Sequence, residues 1–342
     1  MDLSGRRESG NVEDRRGRSS GGFGSSGGNF GSMGSGGGIN ILQLLLQLFM
    51  MRKATGGSNA TGGGKGGCGC MGIVVVLVGL FLLTQMMGGG CSELLSGLAA
   101  GGETMGYNQG STDDTESTYQ GSAEEEELAT FTKKILAGTE DVWTEQFQKI
   151  GKSYVAPKLV LFTDAVRSGC GNASSSTGPF YCSADQTVYI DLSFFMNMKR
   201  QIGADGDFAY AYVIAHEVGH HVQYLLGDLN NVHAQMSRYG QDSKESNQLS
   251  VRLELQADFY AGVWAYHDNR LFHSIQDGDI EEGLNAAQKI GDDYLQKKAR
   301  GYTVPESFNH GTSAQRSKWL ILGISTGDIT RGNTFSQAYS EL

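Results

Sequence analysis

The 342-residue sequence predicts an α+β fold over its last two-thirds. Three observations point there. Glycine crowds the start, with 21 of the 51 glycines falling before residue 71, and the composition turns ordinary from about residue 125. A helical spacing of apolar residues opens that second part and short alternating strands follow it. Only helical patterns come after the strands, and such segregation marks α+β rather than a βαβ series.

Residues 1–70 are largely Gly, Ser and Asn and bury too little apolar surface to offset their ordering entropy, so a disordered cytoplasmic tail is expected. Residues 71–87, MGIVVVLVGLFLLTQMM, carry no charge. As a helix they span about 26 Å, within the range tolerated by a ~30 Å hydrocarbon core, which predicts one transmembrane helix in contact with lipid. The earlier run Ile39–Met51 is too short and too Gln-rich to span, and reads as an interfacial segment or an apolar patch. Residues 88–124 read as a flexible linker, and residues 125–342 are long enough for one well-buried core.

The net charge of −10 conceals an asymmetry: eight Lys/Arg against four acids before residue 71 give +4, leaving −14 for the remainder. An acidic domain excludes nucleic acid as a partner. Positive charge before the apolar run, with Asp113, Asp114, Glu116 and Glu124–Glu127 after it, predicts a single-pass cell-membrane protein with its N-terminus cytoplasmic and its domain periplasmic or extracellular. In that oxidising compartment Cys170 and Cys182, at the ends of a Gly/Ser-rich loop, are expected to form a disulfide. Cys68 and Cys70 would stay reduced or be acylated, and Cys91 lacks the context of a lipoprotein cleavage site.

Within the domain, Leu128, Phe131, Ile135, Val142, Trp143 and Phe147 predict a helix over 124–150. Lys158–Phe162 and Gln186–Leu192 read as strands. Asp207 is a candidate cap for a helix over 208–226 that stops at Gly227. Further helical patterns cover about 246–269, 280–300 and 313–323.

All seven histidines follow residue 210, and His216 and His220 carry the chemistry. Four apart on a helix, they project from one face one turn apart, as two ligands of one tetrahedral zinc must. Glu217 sits between them as a candidate general base for a metal-bound water. The surrounding AYVIAHEVGHHVQYLLG is strongly apolar, and burying two histidines and a glutamate there is costly unless a metal takes them up. A histidine ten residues after His216 would mark the metzincin type, but Leu226 stands there. The better third ligand is Glu254, with Asp258 one turn on, placed to support a zinc histidine from behind. Glu245, His233 and Asp258 itself are fallback ligands, and His221, His233, His267 and His273 are expected to be structural or solvated.

AHEVGHHVQ, ELQADFYAG, GPFYCSADQTVYIDLSFF, PESFNHGTSAQR and the N-terminal GRRESGNVEDRRG together resemble the neutral zinc metallopeptidase family, the YpfJ-like proteins of bacteria. The site is similar to that of gluzincins, which share a histidine pair and then a glutamate ligand with an aspartate four residues later. The resemblance implies a zincin-like domain with one zinc on His216, His220 and Glu254, Asp258 in support, and a peptide or protein substrate. It also implies a downstream His and Arg, matched by His310 and Arg316, as stabilisers of the oxyanion of peptide hydrolysis. By zincin-like architecture, Gln186–Leu192 is the candidate edge for binding an extended peptide. The competing class is a non-catalytic, zinc-stabilised envelope scaffold. Glu217 argues against it, because a structural zinc site has no use for a general base.

Overall fold

The computed structural model describes residues 1–18, 119, 121–240 and 242–342. The expected span at 71–87, the run Ile39–Met51, Cys68, Cys70, Cys91 and most of the 88–124 linker lie outside these residues. Among the described residues no helix is long and apolar enough to cross a membrane.

In chain order the elements are β1 (Val12–Asp14), α1 (Ala123–Lys149), β2 (Lys158–Phe162), β3 (Ala165–Ser168), β4 (Gly171–Ser174), β5 (Phe180–Cys182), β6 (Thr187–Asp191), α2 (Ser193–Ile202), α3 (Asp207–Leu226), α4 (Asp228–Met236), α5 (Lys244–Phe272), α6 (Asp279–Lys289), α7 (Asp292–Arg300) and α8 (Ser313–Thr326). The fold is α+β with a small sheet, as expected. Four strands run in the order β1-β2-β6-β5, with β1, β2 and β6 parallel and β5 antiparallel at the edge. β3 and β4 form a separate hairpin, and the Cys170–Cys182 disulfide joins that hairpin's turn to β5.

Alternation along β2 and β6 decides the layering. Leu159, Leu161, Val188 and Ile190 face the helices and join Trp143, Phe208, Tyr212, Val218, Phe259 and Trp264 in the main core. Val160, Phe162 and Tyr189 point the other way and pack with Val166 and Cys182 beneath the hairpin. Both faces of the sheet are thus covered, the usual condition of parallel strands.

Two helix boundaries differ from expectation. Asp207 is the first residue of α3 rather than its cap, which is Gly206 with φ 108°. The α3 N-terminus is capped from outside, by Glu282 accepting from the Phe208 N–H at 3.1 Å. The helix expected over 280–300 is two, broken at Gly291, where a Cβ would lie 2.4 Å from the Ser313 backbone nitrogen.

The larger correction concerns the N-terminus. Met1–Arg18 is not a disordered tail but part of the domain: β1 pairs with β2 in parallel, Val12 opposite Leu159, and Met1, Leu3 and Val12 pack on the core. Four of its five arginines meet an acid, Arg15 pairing with Glu13 beside it. Arg6 binds Asp268 at 2.8 Å, Arg7 binds Glu140 at 2.9 Å and Asp141 at 2.6 Å, and Arg16 binds Asp14 at 2.6 Å and Glu126 at 3.1 Å. Composition failed because all of these partners except Glu13 and Asp14 lie more than a hundred residues away.

Arg6 and Asp268 are nearly buried, at 9% and 1% exposure. Arg6→Ala would leave the aspartate buried and unpaired, so a loss of about 3–5 kcal/mol in stability is expected, read from the urea midpoint. An unchanged midpoint would mean that the arm is not docked.

Candidate metal centre

Helix α3 carries Tyr212, His216 and His220 at successive four-residue steps, and Glu217 next to them. α5 crosses it closely: a Cβ on Gly219 would lie 2.9 Å from the Ala257 carbonyl oxygen. The small residue therefore serves helix packing. The crossing brings Glu254 to 3.2 Å from His216 Nε2 and 3.6 Å from His220 Nε2. The three side chains offer ligand atoms that all lie within 4.8 Å of one another.

Whether these residues suit a metal follows from their other bonds. His216 Nδ1 lies 2.8 Å from Asp258 Oδ1 and donates to that carboxylate. His220 Nδ1 lies 2.9 Å from Gln223 Oε1. The Gln223 amide nitrogen already donates to the Leu253 carbonyl and to Gln256, so its oxygen is the acceptor. Both Nδ1 atoms thus carry protons, and in neutral imidazoles both Nε2 lone pairs aim at the Glu254 carboxylate. Lone pairs facing a carboxylate repel unless a cation lies between them. A neutral His₂Glu donor set matches a zinc site in ligand type and number, so the residues fit.

Burial opposes charge on His216, but Asp258 and Glu254 outweigh it and raise its pKa to about 10. Glu254 is likewise pushed up by burial, yet His220 and His216 hold it well below the usual carboxylate range. Glu217 behaves differently: burial raises its pKa over the opposing effect of the two histidines, and the Tyr181 backbone N–H hydrogen-bonds its carboxylate.

Asp258 is fully buried and accepts from two side chains besides His216. Tyr212 Oη donates at 2.6 Å, and Arg316 donates through Nε and Nη2, both at 2.9 Å. Arg316, expected to stabilise the oxyanion, forks its guanidinium onto the Asp258 carboxylate. His310 follows α7 in a loop whose backbone N–H groups at Asn309, His310 and Gly311 all donate to Asp292 Oδ2. Its ring meets Asp292 Oδ1 at 3.3 Å, and the loop rests on Val251 and Leu255, neighbours of Glu254 on α5. Burial lowers its pKa, but Asp292 and Glu254 together raise it above the ordinary value.

Other candidates lie elsewhere. Glu245 is exposed in the first turn of α5, and His233 and His273 are exposed. His221 is buried between the Tyr181 hydroxyl and the Val155 carbonyl, and His267 bonds the Gly327 carbonyl. The strand Gln186–Leu192 is not an edge: β6 lies between β2 and β5, so β5 is the edge beside α3. Tyr212, Gln223 and Tyr181 escaped sequence reasoning. The first two were visible as steps of four before His216 and three after His220 on one helix face.

Comparison with known proteins agrees with this geometry. Residues 48–335 match the family described as "Putative neutral zinc metallopeptidase". The chain belongs to that family. It is 54% identical over 223 residues to the uncharacterized protein YpfJ of Escherichia coli K12, covering 65% of this chain and 77% of that one. It is 44% identical over 195 residues to an uncharacterized protein of Mycobacterium tuberculosis H37Rv, covering 54% and 64% respectively. No solved structure matches.

Asp258→Asn is expected to weaken zinc binding about 10–100-fold, measured by competition with a chromogenic chelator. Zinc must also displace the His216 proton, so uptake should release protons and weaken as pH falls. With zinc stripped, the cation on His216 adds stability that is fully present below about pH 6.5 and lost as pH rises through about 10. Denaturant midpoints of stripped protein across that range check the sign.

Proposed function

We propose that this chain is a zinc-dependent peptidase that hydrolyses peptide bonds at the His216–His220–Glu254 cluster. The observation that carries the reading is the pair of Nε2 lone pairs aimed at one carboxylate, with Glu217 beside them on the same helix. His216, His220 and Glu254 would hold one zinc ion. Bound there, zinc supplies Lewis acidity that polarises a carbonyl and makes water acidic enough to lose a proton near neutral pH.

The remaining steps belong to the protein. Glu217, kept basic by burial and oriented by the Tyr181 N–H, takes the proton of the attacking water and delivers it to the leaving amine nitrogen. His310, with Asp292 holding its ring at Nδ1, presents an Nε2–H to the oxyanion that develops on the scissile carbonyl. Asp258 and Gln223 fix the two imidazoles in the tautomer that turns Nε2 to the metal. An extended substrate is expected to add as a further strand to the outer edge of β5, which borders α3. That edge offers main-chain bonds, which suits peptides in general.

Glu217→Gln should retain zinc and lose about two to four orders of magnitude in hydrolysis of peptides. Unchanged cleavage in this variant, or protein that takes up no zinc, would sink the reading. His310→Gln should lower kcat roughly 100-fold with little change in KM. Arg316→Lys, which loses the forked contact, should act through zinc affinity and folding instead. Metal analysis and steady-state kinetics on the same preparations separate the two.

A further inference from the structure

We infer that Tyr181, anchored by His221, both positions the general base and receives the main chain of the substrate, a role that stands on the peptidase reading of the metal cluster.

The ladders set the main-chain directions. The Lys158 N–H donates to the Gln186 carbonyl at 3.2 Å. In a parallel pair that pattern turns Val188 and Ile190 toward β2. Thr187 and Tyr189 then turn toward β5, where Cys182 and Phe180 meet them. Tyr181, between those two, turns its own N–H and C=O outward. The N–H reaches the Glu217 carboxylate, and among the described residues no donor takes the carbonyl oxygen. Two residues back, Pro179 has no N–H to give. From Pro179 to Tyr181 the outer edge therefore offers an acceptor and no free N–H. A substrate strand laid along it must supply the N–H itself. Because Glu217 bonds the same residue, that substrate amide lies near the bond being cut.

What holds so short a strand against α3 is the tyrosine side chain. The Tyr181 hydroxyl lies 2.9 Å from His221 Nδ1, and His221 Nε2 lies 2.7 Å from the Val155 carbonyl oxygen. A carbonyl only accepts, so Nε2 carries the proton and the bare Nδ1 accepts from the hydroxyl. Burial holds the pKa of His221 below its ordinary value, so the ring stays neutral. The imidazole has no solvent contact, and Tyr154 and Tyr224 pack against it. One ring thus ties the loop after α1, helix α3 and strand β5 together. It belongs to the residue next to His220, so a metal ligand and the anchor of the edge strand leave α3 from adjacent positions.

The test joins kinetics to amide exchange on the zinc-loaded full chain. Tyr181→Phe keeps the ring, the N–H and the C=O and removes only the link to His221. Its kcat/KM should fall roughly 10-fold with zinc content unchanged. His221→Gln, whose amide can accept from the hydroxyl and donate to Val155, should keep most of the activity that His221→Leu loses. Methylating one substrate amide next to the cleaved bond should lower kcat/KM by at least about 100-fold, and methylating the others should not. A merely structural histidine would give no such pattern. Deuterium exchange of the Tyr181 amide needs no activity and should quicken at least about 10-fold in Tyr181→Phe and in Glu217→Ala. Unchanged exchange in either variant, or a Tyr181→Phe chain as active as its parent, overturns the anchor. Tolerance of methylation at every amide overturns the substrate contact. Should His221→Leu fail to fold, Tyr181→Phe and the exchange decide alone. If the parent chain cleaves no peptide, the peptidase reading falls and takes the substrate contact with it, while exchange still decides the anchor.

Discussion

Asp258 has no solvent contact, and an isolated carboxylate so placed would cost several kcal/mol in lost hydration. What offsets this is convergence. From α5 it reaches Tyr212 and His216 on α3 and the forked guanidinium of Arg316 on α8, so one side chain ties three helices at their common crossing. Arg316 is itself almost wholly buried, and the pair neutralise one another where neither could be left alone. Remove either and the other becomes an unpaired buried charge, so the metal histidine loses its orientation together with the helix packing.

Such reach is possible only because the backbones are close. An aspartate is short, and Gly219 lets α3 come within van der Waals contact of the Ala257 backbone, one residue before Asp258. On the other side Gly262 and Gly323 face each other across α5 and α8, where a Cβ on Gly323 would lie 2.2 Å from the Phe259 carbonyl oxygen. The glycines therefore set the spacing and Asp258 uses it. Glu254, one turn earlier and one methylene longer, faces the histidines at the margin of the same crossing, where the cluster is partly open. A carboxylate that is sealed holds the site, and one that is partly exposed can serve as a ligand.

This division explains what could be read in the sequence. The histidine pair, Glu217, Glu254 and Asp258 obey helical spacing, which is local, and the long amphipathic helices follow the same rule. The contact of Arg316 with Asp258 did not follow, because the two lie 58 residues apart and meet only through helix packing. Nor did the edge strand: β5 is only three residues long, and its pairing outside β6 is held by a disulfide and a hairpin that carry no periodic signal. The arm was least legible. Arg6, Arg7 and Arg16 looked like solvated tail charge until Asp268, Glu140 and Glu126 were placed opposite by the fold.

The arm also alters how the domain must be thought of. A strand supplied from before residue 19 completes the sheet on the side away from the metal centre, and its Arg6 enters beside Gly138, where a Cβ would lie 2.5 Å from the guanidinium. α1 thus has a glycine where it would otherwise shut the arm out, and α5 has Asp268 to receive it. Since α5 also carries Glu254 and Asp258, a single 29-residue helix anchors the arm at one end and the metal cluster in its middle. The arm and the metal cluster therefore depend on the same helix, and the N-terminal residues belong to the domain rather than to a tail appended to it.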